Sequence, residues 1–442
     1  MTGDLLIAYY GDDFTGSTDV LEALAGNGIE TVLFTAIPDQ DQRDRFSHCR
    51  AIGLAGTSRS RPPEWMDREL PVVFEWLRSL QAPIVHYKVC STFDSAPHRG
   101  SIGRAIEIGL ERLGQDIAPI VVGAPELGRY TVFGHLFAAF DGTVYRIDRH
   151  PVMSRHPATP MTEADLLLHL ALQTDLPMGR IDLADQLAGR EKEVFETFRA
   201  AGKRAVLIDV CDPASQAHAG KVLAETLSPA RSLVFGSSGV EYALLPVWRA
   251  KGLVTAPLPA PPLEPVERMA VVSGSCSAVT EGQIHTALAQ GFTGIRLDYA
   301  ALATDRGAEA AFERTLEEGR SVLAAGGSPI LYTALGPADI EAADAGADDR
   351  LGRVLGRLLS RLAEEASLSR LVVAGGDTSS HALEELDIYA LTLRHPMPQS
   401  PGSPVCLGHR GVRESAPVEI VLKGGQIGKA DYFVRLRDGD LQ

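Results

Sequence analysis

The chain has 442 residues, with 42 Lys+Arg against 57 Asp+Glu, a net charge of −15, and 45% hydrophobic residues. That length predicts two domains, and the composition is that of a globular protein able to bury two sizeable cores. The acidic balance argues against nucleic acid as the principal partner, because that binding rests on Lys and Arg neutralising phosphates. It leaves room for a small anion held by local donors.

Short apolar, β-branched runs predict strands at Leu5–Tyr10, Thr31–Phe34, Ala51–Leu54, Ile84–Val89, Ile120–Val122, Ala205–Val210 and Ser232–Phe235. More follow at Met269–Val272, Ile330–Tyr332, Leu371–Ala374 and Val418–Leu422. Between them, Asp19–Ala25, Ile102–Leu113, Glu191–Ala201, Ala308–Ala325 and Arg353–Ala366 repeat their apolar residues at intervals of three and four, which predicts helices. Strand–helix alternation predicts an α/β protein with mainly parallel sheets flanked by helices. Five prolines in the thirteen residues 253–265 cannot continue a helix or a central strand. The expected division is a domain over 1–252, a stiff linker over 253–267 and a second domain over 268–442. The stretch 145–162, rich in Arg, His and Pro, is expected to be an ordered functional loop.

The five cysteines, Cys49, Cys90, Cys211, Cys276 and Cys406, are scattered, with no CxxC and no zinc-ligand spacing. No stretch reaches the length of a membrane span, and the first apolar run is too short for a signal sequence. A reduced, cytoplasmic protein with no structural metal and no membrane partner is expected.

Two segments of the first domain place polar residues directly after a strand, where α/β proteins collect ligands. One is Tyr9-Tyr-Gly-Asp-Asp-Phe-Thr-Gly-Ser-Thr-Asp19, in which Asp12 and Asp13 are placed to grip hydroxyls or take a proton. The same pair also suits a helix-capping turn. The other is His86-Tyr-Lys-Val-Cys-Ser-Thr-Phe-Asp-Ser95. Here Lys88 sits in an apolar run and must either reach solvent or meet an anion, while Ser91, Thr92 and Asp94 suit a polyhydroxy ligand. In the second domain, three glycine loops each follow a strand: Val272–Ser277, Ala374–Ser380 and Lys423–Gly428. Strand, glycines, hydroxyls and a helix start make an anion cradle, and three of them in one domain point jointly to a nucleotide. The chain has no GxxxxGK[ST], no GxGxxG with a following ribose acid and no GxSxG elbow.

Together these segments resemble the four-carbon acid sugar kinase family. Asp12–Asp19 is similar to its DDFTG(A/S)TD motif and Lys88–Ser95 to K-x-x-S-T-x-D-S. Arg155–Met161 resembles R-x-H-P-x-T-P-M, with the arginine displaced by one residue. Ser273–Ser277, Gly375–Ser379 and Lys423–Gly428 match SGSCS, GG(D/E)TS and K-x-G-x-x-G. The matches run in order through nearly the whole chain. The resemblance implies a first domain that binds the sugar acid, a second that binds ATP, and an active site in the cleft between them. It also implies nucleotide contacts at Ser273, Gly375, Gly376, Asp377, Thr378 and Gly425. The implied reaction is transfer of a phosphoryl group from ATP, with Mg²⁺ bridging the phosphates, to the terminal hydroxyl of a four-carbon sugar acid of the 3-oxo-tetronate, threonate or erythronate type, giving its 4-phosphate. Asp12 or Asp13 would be the proton acceptor, with Asp13 favoured, and Arg155 and Lys88 the candidates for the substrate carboxylate. A branched acid of the 3-oxo-isoapionate kind is the alternative substrate, and a homodimer is compatible with the resemblance. The rival classes are a non-catalytic sugar-acid sensor and an aldolase or dehydratase. The latter requires a Schiff-base lysine or a metal cluster and no ATP.

Overall fold

The structure is a computed structural model that describes residues 5–156, 158–225, 232–256, 259–336, 339, 347–411 and 417–441. Strands up to the proline-rich segment are β1 (Ile7–Gly11), β2 (Thr31–Phe34), β3 (Ala51–Ala55), β4 (Ile84–Lys88), β5 (Ala118–Val121), β6 (Arg129–Val132), β7 (His135–Phe140), β8 (Thr143–Arg146), β9 (Met178–Ile181), β10 (Ala205–Ile208) and β11 (Ser232–Gly236). After it come β12 (Ala270–Ser273), β13 (Phe292–Arg296), β14 (Ser328–Tyr332), β15 (Arg370–Ala374), β16 (Ile388–His395), β17 (Val405–Arg410) and β18 (Val418–Lys423). The chain divides into two compact units, one of Met1–Thr31 with Ile37–Pro257, the other of Val32–Ala36 with Leu258–Gln442.

In the first unit β3-β1-β4-β11-β5-β10-β9 are neighbours in that order. Their pairings are parallel. The central strands β1, β4 and β11 are buried along their whole length, which is why they read as continuous apolar runs rather than as alternations. Tyr10, Tyr87 and Phe235 stack across β1, β4 and β11 with ring centroids 5.4 and 5.2 Å apart, under Phe74 of helix Pro63–Ser79. The Tyr87 hydroxyl meets Ser58 Oγ at 2.8 Å. Tyr10 is therefore part of the core, and its hydroxyl also finds Ser58.

Within this unit β6-β7-β8 form a separate antiparallel meander. It replaces the start of the expected 145–162 loop, whose next residues form 3-10 turns at Ile147–Arg149 and Met153–Arg155. The turns at Phe133-Gly134 and Asp141-Gly142 have positive φ at both residues, the geometry that joins two-residue hairpins.

The second unit orders its strands β13-β14-β12-β15-β18-β17-β16-β2. The pairs from β13 to β18 are parallel, and those of β17 with β18 and β16 are antiparallel. β2 pairs antiparallel with β16, Phe34 against Ala390. Thus a five-residue piece of the early chain, Val32–Ala36, is built into the later unit, an excursion that the expected domain over 1–252 does not contain. The core gathers Val271, Ile284, Phe292, Ile330, Val372, Val421, Phe433 and Leu436. The proline-rich segment is tied to this unit, since Arg394 donates to the Pro261 and Pro262 carbonyls and buried Arg370 to that of Glu264. No helix among the described residues is long and apolar enough to cross a membrane.

Candidate active site

Parallel strands deliver successive loops to one edge, so the residues after β1, β3 and β4 gather although the chain separates them widely. Gly11 ends β1. The Asp12 amide then donates to Lys88 O at 3.0 Å, and Asp13 caps helix Phe14–Ala25, its Oδ1 accepting from the Gly16 amide at 2.6 Å. Asp13 Oδ2 is also taken, by Thr15 Oγ1 at 3.1 Å and Arg59 Nη1 at 3.0 Å.

Arg59 follows β3 on a 3-10 turn and is the residue that assembles the site. Its amide donates to Asp12 O at 3.0 Å, and its Nη2 reaches both Asp94 oxygens at 2.9 Å. Asp94 also accepts from Thr92 and Thr159 hydroxyls. Lys88, at the end of β4, brings Nζ to 3.8 Å from Asp19 Oδ2, and both side chains are buried. The ammonium lies so close over Gly16 that a Cβ there would be 2.2 Å from Nζ, so the glycine is what admits it.

The two adjacent aspartates differ sharply in charge state. Burial raises the Asp13 carboxyl, but Arg59, Lys88 and the Gly16 amide outweigh it and hold the group below its ordinary value. Asp94 is likewise held well below that range, burial being overcome by Arg59 and Thr92. Asp12 is 5% exposed, its Oδ1 has no hydrogen-bond partner, and burial followed by the charge of Asp13 pushes it from 3.8 to about 7. One carboxylate is therefore spent on structure and the other is free to take a proton near neutrality.

Of the remaining expected residues in this unit, Thr92 and Asp94 join the cluster and Ser91 is half-buried on the same turn. Arg155 does not join it. Its side chain is exposed at the end of a 3-10 turn and has no ion-pair partner among the described residues, whereas His156 and Thr159 of the same segment turn inward toward Asp94. Reading the sequence missed Arg59, Asp19 and Thr159. The signal for Arg59 was the polar run Thr57-Ser-Arg-Ser-Arg61 directly behind an apolar strand, the same grammar that singled out the aspartates.

In the second unit β12, β15 and β18 are adjacent, so their three glycine loops meet at one edge. The Gly274 amide donates to Ala374 O at 3.0 Å and the Gly375 amide to Lys423 O at 2.9 Å. Ser277 caps helix Ala278–Ala289 through the Thr280 amide and also donates to Gly425 O. Gly375 sits at φ +126°, which a side chain rarely adopts, and helix Gly376–Glu385 begins immediately after it. Ser273 and Thr378 are buried beside these turns. The side chain of Asp377 lies outside those described. Beneath the loops is Lys423, fully buried, with Nζ donating to Thr280 Oγ1 at 3.0 Å and to the Gly424 and Gly425 carbonyls at 2.9 and 3.4 Å. These acceptors are neutral, and burial pushes the ammonium down to about 7. A buried cation without a carboxylate partner among the described residues, under amide-rich glycine turns, fits an incoming phosphate group.

A family model described as a sugar-binding N-terminal domain matches residues 7–244, and one described as a nucleotide-binding C-terminal domain matches residues 270–433. The chain is 45% identical to a 3-oxo-isoapionate kinase of Paraburkholderia graminis, covering 99% of this chain and 95% of that one. It is 30% identical to a 3-oxo-tetronate kinase of Cupriavidus necator, covering 97% and 95%. A solved structure from Salmonella typhimurium LT2, provisionally described as a tRNA synthase, aligns at TM-score 0.76 and 26% identity over 100% of both chains. A Haemophilus influenzae protein shares the fold at TM-score 0.68 and 24% identity, over 98% of this chain and 100% of that one.

Proposed function

The chain belongs to the four-carbon acid sugar kinase family and is a phosphotransferase acting on a sugar acid, and from that premise we propose that it phosphorylates the terminal hydroxyl of a 3-oxo sugar acid at the expense of ATP. The 45% identity to a kinase of the branched acid supports 3-oxo-isoapionate as the acceptor to test first. The linear 3-oxo-tetronate, which the relatives near 30% identity use, is the second reading.

The observation that carries the mechanism is the contrast between Asp12 and Asp13. Asp12 has a buried oxygen without a partner and a protonation midpoint of about 7, so it is the group we assign to take the proton from the attacking hydroxyl. Asp13 is saturated by Gly16, Thr15 and Arg59, and its part is to fix Arg59 and the first helical turn. Thr92, Asp94 and Ser91 face the acceptor's hydroxyls. Ser273, Gly375, Gly376, Thr378 and Gly425, with Asp377, are assigned to the nucleotide, and Lys423 supplies a desolvated positive charge below its phosphates. Phosphoryl transfer needs positioning and charge neutralisation more than covalent help, and both loop sets are held in place by the protein's own hydrogen bonds. Mg²⁺ is proposed as the counter-ion of the ATP phosphates. Among the described residues no three His, Cys, Asp or Glu side chains gather to hold a metal ion, so none is assigned to it.

The test is a coupled ADP-release screen of the purified chain against four- and five-carbon aldonic and 3-oxo acids, with 3-oxo-isoapionate and 3-oxo-tetronate included. Acid-dependent ADP release and a phosphorylated product are expected. No ADP release with any of them sinks the reading.

A further inference from the structure

An acidic acceptor poses a problem for the site as described. Four carboxylates, Asp12, Asp13, Asp19 and Asp94, surround two cations, Arg59 and Lys88. Both cations are already committed, Arg59 to Asp13 and Asp94 and Lys88 to Asp19. A further carboxylate brought into this field is repelled unless another positive charge receives it.

Arg129 answers that need. It opens β6, after the 3-10 turn Pro125–Leu127 that follows β5, and β5 stands two strands from β4 in the sheet, with β11 between them. Its Nη1 is gripped by three carbonyls, Leu127 O at 3.0 Å, Gly128 O at 3.2 Å and Ala139 O at 3.3 Å. Its Nε is buried without a hydrogen-bond partner, and it has no ion pair among the described residues. Carbonyls orient a guanidinium but do not neutralise it. Burial accordingly pushes this arginine's pKa down, opposed by the nearby Cys90, two residues after β4, and by Asp19 of the site. Arg155, by contrast, is exposed, and Arg99, half-buried as Arg129 is, lies on the turn Ala96–Arg99 with no side-chain nitrogen buried without a partner.

Resting on the kinase reading, we propose that Arg129 is the group that receives the carboxylate of the acceptor acid. The three carbonyls pre-set the direction of its fork, and a planar carboxylate supplies the charge and the acceptors that the protein withholds.

The experiment separates this from the kinase reading by using two readouts on the full chain. ADP release with the sugar acid reports the kinase reading. Calorimetric binding of the acid and of its neutral amide, each to wild type and variants, reports Arg129 whether or not turnover is seen. Arg129→Gln is expected to weaken the acid about 10- to 100-fold while leaving the amide and ATP within about twofold, so that the preference for acid over amide collapses. Arg129→Lys keeps the charge without the fork and is expected to recover part of that preference. Should Arg129→Gln fail to fold, the acid-to-amide ratio of Arg129→Lys is the measure. A role confined to clamping the meander would weaken acid and amide alike and lower the melting temperature, which overturns the proposal. So does a collapse of the preference in Arg99→Gln or Arg155→Gln with none in Arg129→Gln.

Discussion

Asp12→Asn separates the energetic burden of the proposed base from its use. In the unfolded chain the carboxyl titrates near 3.8, and in the folded one near 7, because burial and then the neighbouring Asp13 disfavour its charge. Between those values the folded chain holds a proton that the unfolded chain has released. Stability therefore falls as pH rises from about 4 to about 7 and is level above that. At about 1.4 kcal/mol per pH unit the interval amounts to roughly 4 kcal/mol at pH 8, and to less than half of that at pH 5. Asparagine keeps the shape and removes the charge. Urea unfolding at pH 5 and pH 8 should show the variant stabilised by up to roughly 4 kcal/mol at the higher pH, with a much smaller gain at the lower. ADP release with the sugar acid should fall about 100- to 10,000-fold, and wild-type kcat/KM should rise with pH around a midpoint near 7. A stability difference that does not change with pH refutes the buried-charge argument, and a fully active variant refutes the assignment of Asp12 as base.

Three further outcomes follow from the same geometry. Arg59→Met strands Asp13 and Asp94 without their partner and should cost about 3 kcal/mol at pH 7. Because both carboxyls are held below their ordinary value, the loss should shrink as pH falls through the acid range, which pH-dependent unfolding of variant against wild type checks. Lys423→Met removes a buried charge whose midpoint drops from 10.5 to about 7, so it should stabilise by roughly 3–5 kcal/mol at pH 7 and below, with the gain vanishing by about pH 10.5. Calorimetry should show ATP bound about tenfold more weakly by that variant, and unchanged affinity would remove the lysine from the phosphate site. Gly375→Ala forces a side chain into φ +126° and should cost about 1–3 kcal/mol, read from unfolding midpoints, with weaker ATP binding. An Ala variant as stable as wild type would show that the turn relaxes.

Much of the scaffold was legible because its signals are local. Buried parallel strands leave unbroken apolar runs, and those at Thr31–Phe34, Ala51–Ala55 and Arg370–Ala374 were found to within a residue. The meander was not, although Asp141-Gly142 between two β-rich runs is a hairpin signal that was present to be read. β17 mixes apolar with polar residues and β13 carries a glycine, so both read weakly, whereas Ile388–Leu393 of β16 is an apolar, β-rich run that was present to be read.

The order of residues alone determined the alternation of strands and helices, the stiff proline segment, and the polar and glycine loops that follow the strands. Each is written in neighbours a few positions apart. The folded chain decided which of two adjacent aspartates is free, because Arg59 arrives from 46 residues away to occupy one of them and burial isolates the other. It also decided that Arg155 faces water while the Nε of Arg129 is buried without a partner, and that Val32–Ala36 is built into the later unit. Desolvation and long-range pairing are properties of what surrounds a side chain in space, and that surrounding exists only once the strands are laid side by side.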